Sequence, residues 1–350
     1  MQALRLYGAS DLRLEDIPVP KAEPGGLVVK VEACAICGSD LRNVRAGGSS
    51  HGMDLPITIG HEIAGTVHGI GEGAEGFEPG QRVVLATITP CGQCINCLRG
   101  IQNQCDRKTA ISYQYDGGFA EYVAVPPRHV AAGGVFPMPE GLSFAEVSIT
   151  EPFSCALNGQ ELSRVGLGDV VCVMGAGPVG LMHCLLARAR GAAKVFLADI
   201  SPARLELSRE FPEIDRRIDA SREDPVERVL HWTGGVGADV VITAAPSGKA
   251  QVQATRMAAK RGRVNLFGGL PKGESETVFD SNVIHYKELF VHGASDSTVP
   301  QMMTILDLMA SGQLRPGRLI TGILPLSRFR EGFELAASGN ALKVVLEPGK

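Results

Sequence analysis

Residues 170–180 read VVCVMGAGPVG, and their reading decides the fold. The apolar run VVCVM suits a buried strand, and Gly175, Gly177, Pro178 and Gly180 then interrupt it. Residues 179–190 carry the apolar spacing of a helix. A G-x-G-x-x-G pattern on its own is a weak signal. Between a strand and a helix it has a mechanism. Gly175 permits the tight turn, Gly177 lets the backbone approach a pyrophosphate, and Gly180 allows close packing of helix on strand. The helix opened by Pro178 and Val179 then presents free N–H groups to the phosphate charge.

Asp199 ends the next apolar run, nineteen positions after Gly180. A carboxylate there can accept hydrogen bonds from both ribose hydroxyls of NAD, and it would repel the 2′-phosphate of NADP. Ile200 and Ser201 follow, so no cation stands immediately beside it. Arg204 is near enough to reach the same region, stacking on an adenine or pairing with Glu206 or Asp199.

Outward from this unit, residues 194–198, 240–243 and 263–267 read as strands and 202–210 as a helix. Such alternation predicts a doubly wound parallel sheet. Residues 1–150 differ. Short β-like runs such as 26–32 (GLVVKVE), 63–68 (IAGTVH), 82–86 and 120–125 (AEYVAV) are separated by Gly and Pro. That spacing predicts a small all-β barrel or sandwich. Residues 299–311 read as an amphipathic helix and 342–346 as a last strand. No internal repeat or low-complexity tract is present. At 350 residues, two domains are expected.

Composition narrows the function classes. The net charge of −4 comes without a basic stripe or polybasic segment, which argues against nucleic acid and anionic membranes as partners. Residues 170–187 carry no Asp, Glu, Lys or Arg, but glycines and Pro178 divide them into strand, turn and helix, against a membrane span. Charges arrive early at the N-terminus with no apolar stretch behind them, so a cytoplasmic protein is expected.

Nine cysteines in such a chain argue against a disulfide framework. Cys91, Cys94, Cys97 and Cys105 crowd into fifteen residues. Four thiolates at these spacings can close around a tetrahedral Zn²⁺ at ~2.3 Å each, leaving no place for substrate. An iron–sulfur cluster uses the same donors, but nothing nearby suggests electron transfer. A second constellation is dispersed. Cys37-Gly38-Ser39-Asp40 follows a strand, Gly60-His61-Glu62 precedes one, and Glu151-Pro152 stands where the composition changes. A thiolate, an imidazole and carboxylates can form an open catalytic zinc site. Cys37 as a small core residue and His61 as a turn histidine are the ordinary alternatives, and sequence separation does not decide between them.

The residues also carry a resemblance. CGSDLR from Cys37, ITIGHEIAGTV from Ile57, EPGQRV from Glu78, the four cysteines, DGGFAEYVAVP from Asp116, EPFSCALNG from Glu151 and GAGPVG from Gly175 occur in order over nearly the whole chain. Together they resemble the zinc-containing medium-chain dehydrogenases, in particular the sorbitol, threonine and galactitol-phosphate dehydrogenase branch. The resemblance implies an α/β protein. Its GroES-like β-barrel catalytic domain would span residues 1–155 and be completed by 295–350, with a Rossmann domain over 156–294. It implies Cys37, His61 and Glu151 as catalytic zinc ligands, with Glu62 an alternative ligand or a neighbouring carboxylate. Ser39 becomes the hydroxyl that passes the alcohol proton outward.

Two zinc ions per subunit and NAD are the implied cofactors. The expected reaction is oxidation of a secondary alcohol of a polyol or sugar derivative to a ketone, in a homodimer or homotetramer. The alternative is a threonine-type amino-alcohol or sugar-phosphate dehydrogenase, for which Arg42 and Arg45 could hold a carboxylate or phosphate. They could equally be solvated loop charges. One departure stands out. Many relatives carry a histidine three residues after the relay hydroxyl, where this chain has Arg42, which cannot shuttle protons at neutral pH. His51 is a candidate for the outer relay, or an ordinary loop histidine. A cofactor-binding protein without catalysis leaves the metal ligands idle, and a zinc-ribbon interaction protein leaves the glycine fingerprint unexplained.

Overall fold

The computed structural model describes residues 1–48 and 52–350. The chain forms two compact units, Met1–Ser154 with Asp296–Lys350, and Cys155–Ser295.

The first unit is built on a mainly antiparallel sheet. Its strand order is Val135–Pro137, Arg82–Leu85, Glu62–Ile70, Leu27–Ala35, Lys343–Glu347 and Ile320–Pro325, with Tyr122–Val125 also pairing to Leu27–Ala35. Leu27, Val29 and Val31 alternate into a core shared with Ile63, Val67, Val83 and Leu85. Each such side chain contributes ~1.5–3 kcal/mol on burial. Register matters more for function. Ala35 lies opposite Glu62 on one side and opposite Val345 on the other. One end of the sheet therefore gathers Cys37, two residues past the central strand, with Glu62 and Lys343, which each open a neighbouring strand.

The second unit is an all-parallel sheet. Its order is Arg216–Asp219, Lys194–Asp199, Val170–Met174, Ala238–Thr243, Ala258–Leu266 and Phe290–Gly293. In chain order this is 3-2-1-4-5-6, the doubly wound arrangement whose ligand crevice lies beyond the carboxyl ends where the order reverses. The glycine turn sits at that point. Gly175 has φ +118°, which L side chains rarely adopt. A Cβ on Gly180 would lie 1.7 Å from the Gly175 carbonyl oxygen, so the helix Pro178–Ala189 can approach its strand only with glycine there.

The expected fold class is what the structure shows. In the sheet of the second unit, the strands Arg216–Asp219 and Phe290–Gly293 are not among those read from the sequence. Both are sheet edges, where exposed residues such as Arg216 and Phe290 dilute the apolar signal. Among the described residues no helix is long and apolar enough to cross a membrane.

Candidate metal and cofactor sites

Cys37 is the N-cap of the helix Gly38–Ala46 and is half-buried. Asp40, in the first turn of that helix and fully buried, accepts the Cys37 N–H at 2.9 Å through one oxygen. Its other oxygen lies 3.4 Å from His61 Nδ1. A metal-binding histidine characteristically offers its second ring N–H to a carboxylate, which fixes the ring and raises its basicity. Asp40 therefore orients two candidate ligands at once. The sequence reading quoted Asp40 within its motif but gave it no role.

Ligand atoms of Cys37, His61 and Glu62 all lie within 4.8 Å of one another. A thiolate, an imidazole and a carboxylate at that separation suit zinc. Ser39 Oγ is 3.4 Å from His61 Nε2 and hydrogen-bonds Tyr113. Burial, chiefly, pushes the Tyr113 hydroxyl up to about 12, so it keeps its proton at neutral pH. Burial opposes charge on His61. The Asp40 carboxylate, 3.4 Å from the ring, outweighs that and holds its pKa well above the ordinary imidazole value. Thr87 Oγ1 donates to the His61 carbonyl at 3.2 Å and anchors the backbone.

The two glutamates are placed differently. Glu62 is fully buried, and both its oxygens accept from the Lys343 ammonium. Glu151 is half-buried in the first turn of the helix Thr150–Leu162, outside the 4.8 Å group. It lines a recess with Thr87, Ser297 and Met302, and its charge favours the Lys343 ammonium. Burial works against that ammonium, yet the charges of Glu62, Cys37 and Glu151 and the bond to Glu62 raise its pKa. Arg42 is exposed, and an added Cβ at Gly38 would meet its guanidinium at 3.9 Å. His51 lies outside the described residues.

Cys91, Cys94, Cys97 and Cys105 form the second group within 4.8 Å. Backbone N–H groups point at the sulfurs. Gln93 and Cys94 donate to Cys91 Sγ at 3.4 and 3.2 Å, and Cys91 donates to Cys105 Sγ at 3.1 Å. Arg107 adds a guanidinium 3.6 Å from Cys91 Sγ. The Gln93 N–H is the largest of the influences that bring Cys91 down to about 6, while burial takes Cys97 up to about 12. N–H donors favour thiolates, the form that binds metal. Arg128 ties the loop to the barrel through the carbonyls of Thr89, Pro90 and Arg107. Metal-replete protein should hold close to two zinc ions per chain by elemental analysis. Cys105→Ser should hold close to one, unfold at a lower temperature and keep its affinity for reduced cofactor. A Cys105→Ser protein that still holds two would place the metal elsewhere.

In the second unit, Asp199 is 7% exposed. One of its oxygens accepts the Ala176 N–H at 2.6 Å and the other the Ser201 N–H at 2.7 Å. The glycine turn and the carboxylate are thus tied together, and each oxygen retains a lone pair for a ribose hydroxyl. The helix beginning at Pro178 is capped by Gly177 without a side-chain bond, and no atom would meet a Cβ on Gly177 within 4 Å. The first-turn N–H groups, Val179 and Gly180 among them, are available to a phosphate. Arg204 is half-buried and forms no ion pair among the described residues, since Glu206 pairs with Arg209 at 2.8 Å.

Known proteins match along the chain. The family "Alcohol dehydrogenase GroES-like domain" matches residues 23–139, and "Zinc-binding dehydrogenase" matches residues 178–311. An L-threonine 3-dehydrogenase from Bacillus licheniformis is 33% identical over 97% of this chain and 96% of its own. Among solved structures, a Sinorhizobium meliloti 1021 zinc-binding dehydrogenase bound to NADP superposes with TM-score 0.91 at 31% identity over 99% of both chains. The 2R,3R-butanediol dehydrogenase of Bacillus subtilis gives 0.89 at 28% identity, again over 99% of both chains.

Proposed function

The chain belongs to the zinc-dependent, nicotinamide-linked medium-chain dehydrogenases, and within that family we propose that it oxidises a secondary alcohol of a polyol or sugar derivative to a ketone, with NAD as the acceptor. The observation that carries this reading is the convergence of Cys37, His61 and Glu62 beside Ser39. When bound, zinc supplies the Lewis acidity that eases loss of a hydroxyl proton (a bound water falls to a pKa of ~7), and NAD supplies the hydride acceptor.

The chain's own residues do the rest. Cys37 and His61 hold the metal, aligned by Asp40, and a glutamate completes the set. Ser39 takes the substrate proton and passes it outward, with Tyr113 hydrogen-bonded to it. Tyr113 holds its own proton too tightly to release it, and Arg42 is permanently charged, so the path runs on through water or another group, His51 being the candidate named from the sequence. Glu151, Thr87 and Ser297 line a small, mainly apolar recess beside this site.

Threonine is the second reading, favoured by the Bacillus relative, because its oxidation is also that of a secondary alcohol. The homo-oligomer and the cytoplasmic location stay within the proposal. Exposed Tyr286 and Phe290, by the open sheet edge, support contact with a second copy. The test is a panel of polyols, sugar phosphates and L-threonine with NAD and zinc-replete protein, followed by absorbance of the reduced cofactor. Reduction with polyols is expected. Reduction with threonine alone selects the second reading, and none with any compound removes both.

A further inference from the structure

In the sheet of the second unit, the two strands outside the glycine turn end alike. Asp199 closes Lys194–Asp199 and Asp219 closes Arg216–Asp219, and the two are partners in the parallel register. Register partners leave the same face of a sheet. The pair before them does so, since Ala198 and Ile218 lie in one core cluster. The strand order Arg216–Asp219, Lys194–Asp199, Val170–Met174 therefore sets three strand ends in a row at a spacing of ~4.8 Å. The glycine turn at the third receives a pyrophosphate, and Asp199 at the second receives the adenosine ribose. Asp219 stands one strand further out, on the side where the base carried by that ribose falls.

The Asp219 carboxylate is half-buried, and its two oxygens are used unequally. Oδ1 accepts both the N–H and the hydroxyl of Ser221, at 3.0 and 2.5 Å. Oδ2 faces the guanidinium of exposed Arg222 at 3.5 Å, longer than a formed charge-assisted bond. It therefore keeps capacity for a donor from a ligand. An ionised carboxylate accepts hydrogen bonds and donates none. On the edge of a purine, the exocyclic amine of adenine donates, whereas the carbonyl that replaces it in hypoxanthine accepts.

We propose that Asp219 is a specificity-determining residue for the cofactor, and that its carboxylate accepts the exocyclic amine of the adenine base. It thereby selects an adenine dinucleotide over one with a carbonyl at that position. The proposal rests on the nicotinamide cofactor of the preceding section. It is separate from the action of Asp199, which concerns the ribose and not the base.

Fluorescence titration of the full chain with NADH and with its hypoxanthine analogue, deamino-NADH, tests this without turnover or substrate. The parent should bind NADH at least about tenfold more tightly, about 1.4 kcal/mol. Asp219→Ala should bring the two dissociation constants within about threefold of each other. Asp219→Asn should go further and turn the preference towards deamino-NADH. Ser221 holds the amide oxygen in the place of Oδ1, so the amide nitrogen takes the place of Oδ2 and donates to the hypoxanthine carbonyl. Ser221→Ala keeps the carboxylate and its N–H partner and should keep the parental ratio, which separates reading of the base from support of the turn. A chain that binds NADPH alone is titrated with NADPH and deamino-NADPH, with the same expectations. Equal affinity of the parent for the two bases overturns the proposal and leaves the cofactor site standing. So does a parental ratio in Asp219→Ala and Asp219→Asn. A parent that binds neither NADH nor NADPH would overturn the cofactor site and the role of Asp219 together.

Discussion

Replacing Cys37 with serine should abolish turnover while leaving affinity for the nicotinamide cofactor close to that of the parent. A serine hydroxyl keeps its proton at neutral pH and is a poor partner for zinc beside His61. The Lewis acid is then lost. At about 4 kcal/mol of transition-state stabilisation, the fall in kcat is roughly a thousandfold. The fold should survive. Cys37 is the N-cap of the helix Gly38–Ala46 in an extended conformation, and serine is a preferred residue at that position. Its N–H remains for Asp40 to accept. The glycine turn and Asp199 belong to the other compact unit, whose sheet does not use Cys37. Three measurements on one preparation decide the matter: kcat, zinc per chain, and fluorescence titration with NADH. Near-parental turnover with one zinc missing would mean that the metal at Cys37 takes no part in the reaction.

How far the sequence could be read depends on how local each feature is. The four-cysteine loop was legible because its ligands lie within fifteen residues and the structure closes them into one group. The dinucleotide turn was legible for the same reason, since strand, glycines and helix are contiguous and Asp199 is one strand away. The open site is assembled by sheet register. Nothing in the motif around His61 announces that Lys343, 281 residues later, will pair with Glu62. Tyr113 reaches Ser39 from a loop with no motif of its own.

The choice of glutamate shows the limit most clearly. The resemblance favoured Glu151 as a zinc ligand, whereas geometry brings Glu62 nearer to Cys37 and His61 and then occupies both its oxygens with a lysine. Proximity and availability point in opposite directions there. Only the partner on the far strand explains how both can hold. Asp40 was in plain view within CGSD, and its signal was its place in the first turn, from which a side chain can reach back to the N-cap N–H.

The enzyme should prefer NAD to NADP by at least roughly a hundredfold in kcat/KM, about 2.7 kcal/mol, and Asp199 should be the cause. Its carboxylate is fixed by the Ala176 and Ser201 N–H groups, so it does not swing away from an incoming ribose. Charge-assisted hydrogen bonds from the ribose hydroxyls contribute ~1.5–3 kcal/mol each. A 2′-phosphate in the same place would meet repulsion of ~4 kcal/mol at ~4 Å and an effective dielectric of ~20. Arg204 is the one cation that opposes this. Half-buried and without an ion pair among the described residues, it is available to a phosphate. Its single charge offsets part of the repulsion but replaces neither lost hydroxyl bond, so NAD still wins. Asp199→Ala also deprives two backbone N–H groups of their acceptor and loosens the turn, which weakens both cofactors alike. The ratio of kcat/KM for NAD to that for NADP cancels this common loss, and it should fall at least tenfold in the variant, about 1.4 kcal/mol. A parent that uses the two cofactors equally, or a ratio unmoved by the substitution, would take Asp199 out of cofactor selection and leave the choice to Arg204 and the helix N-terminus.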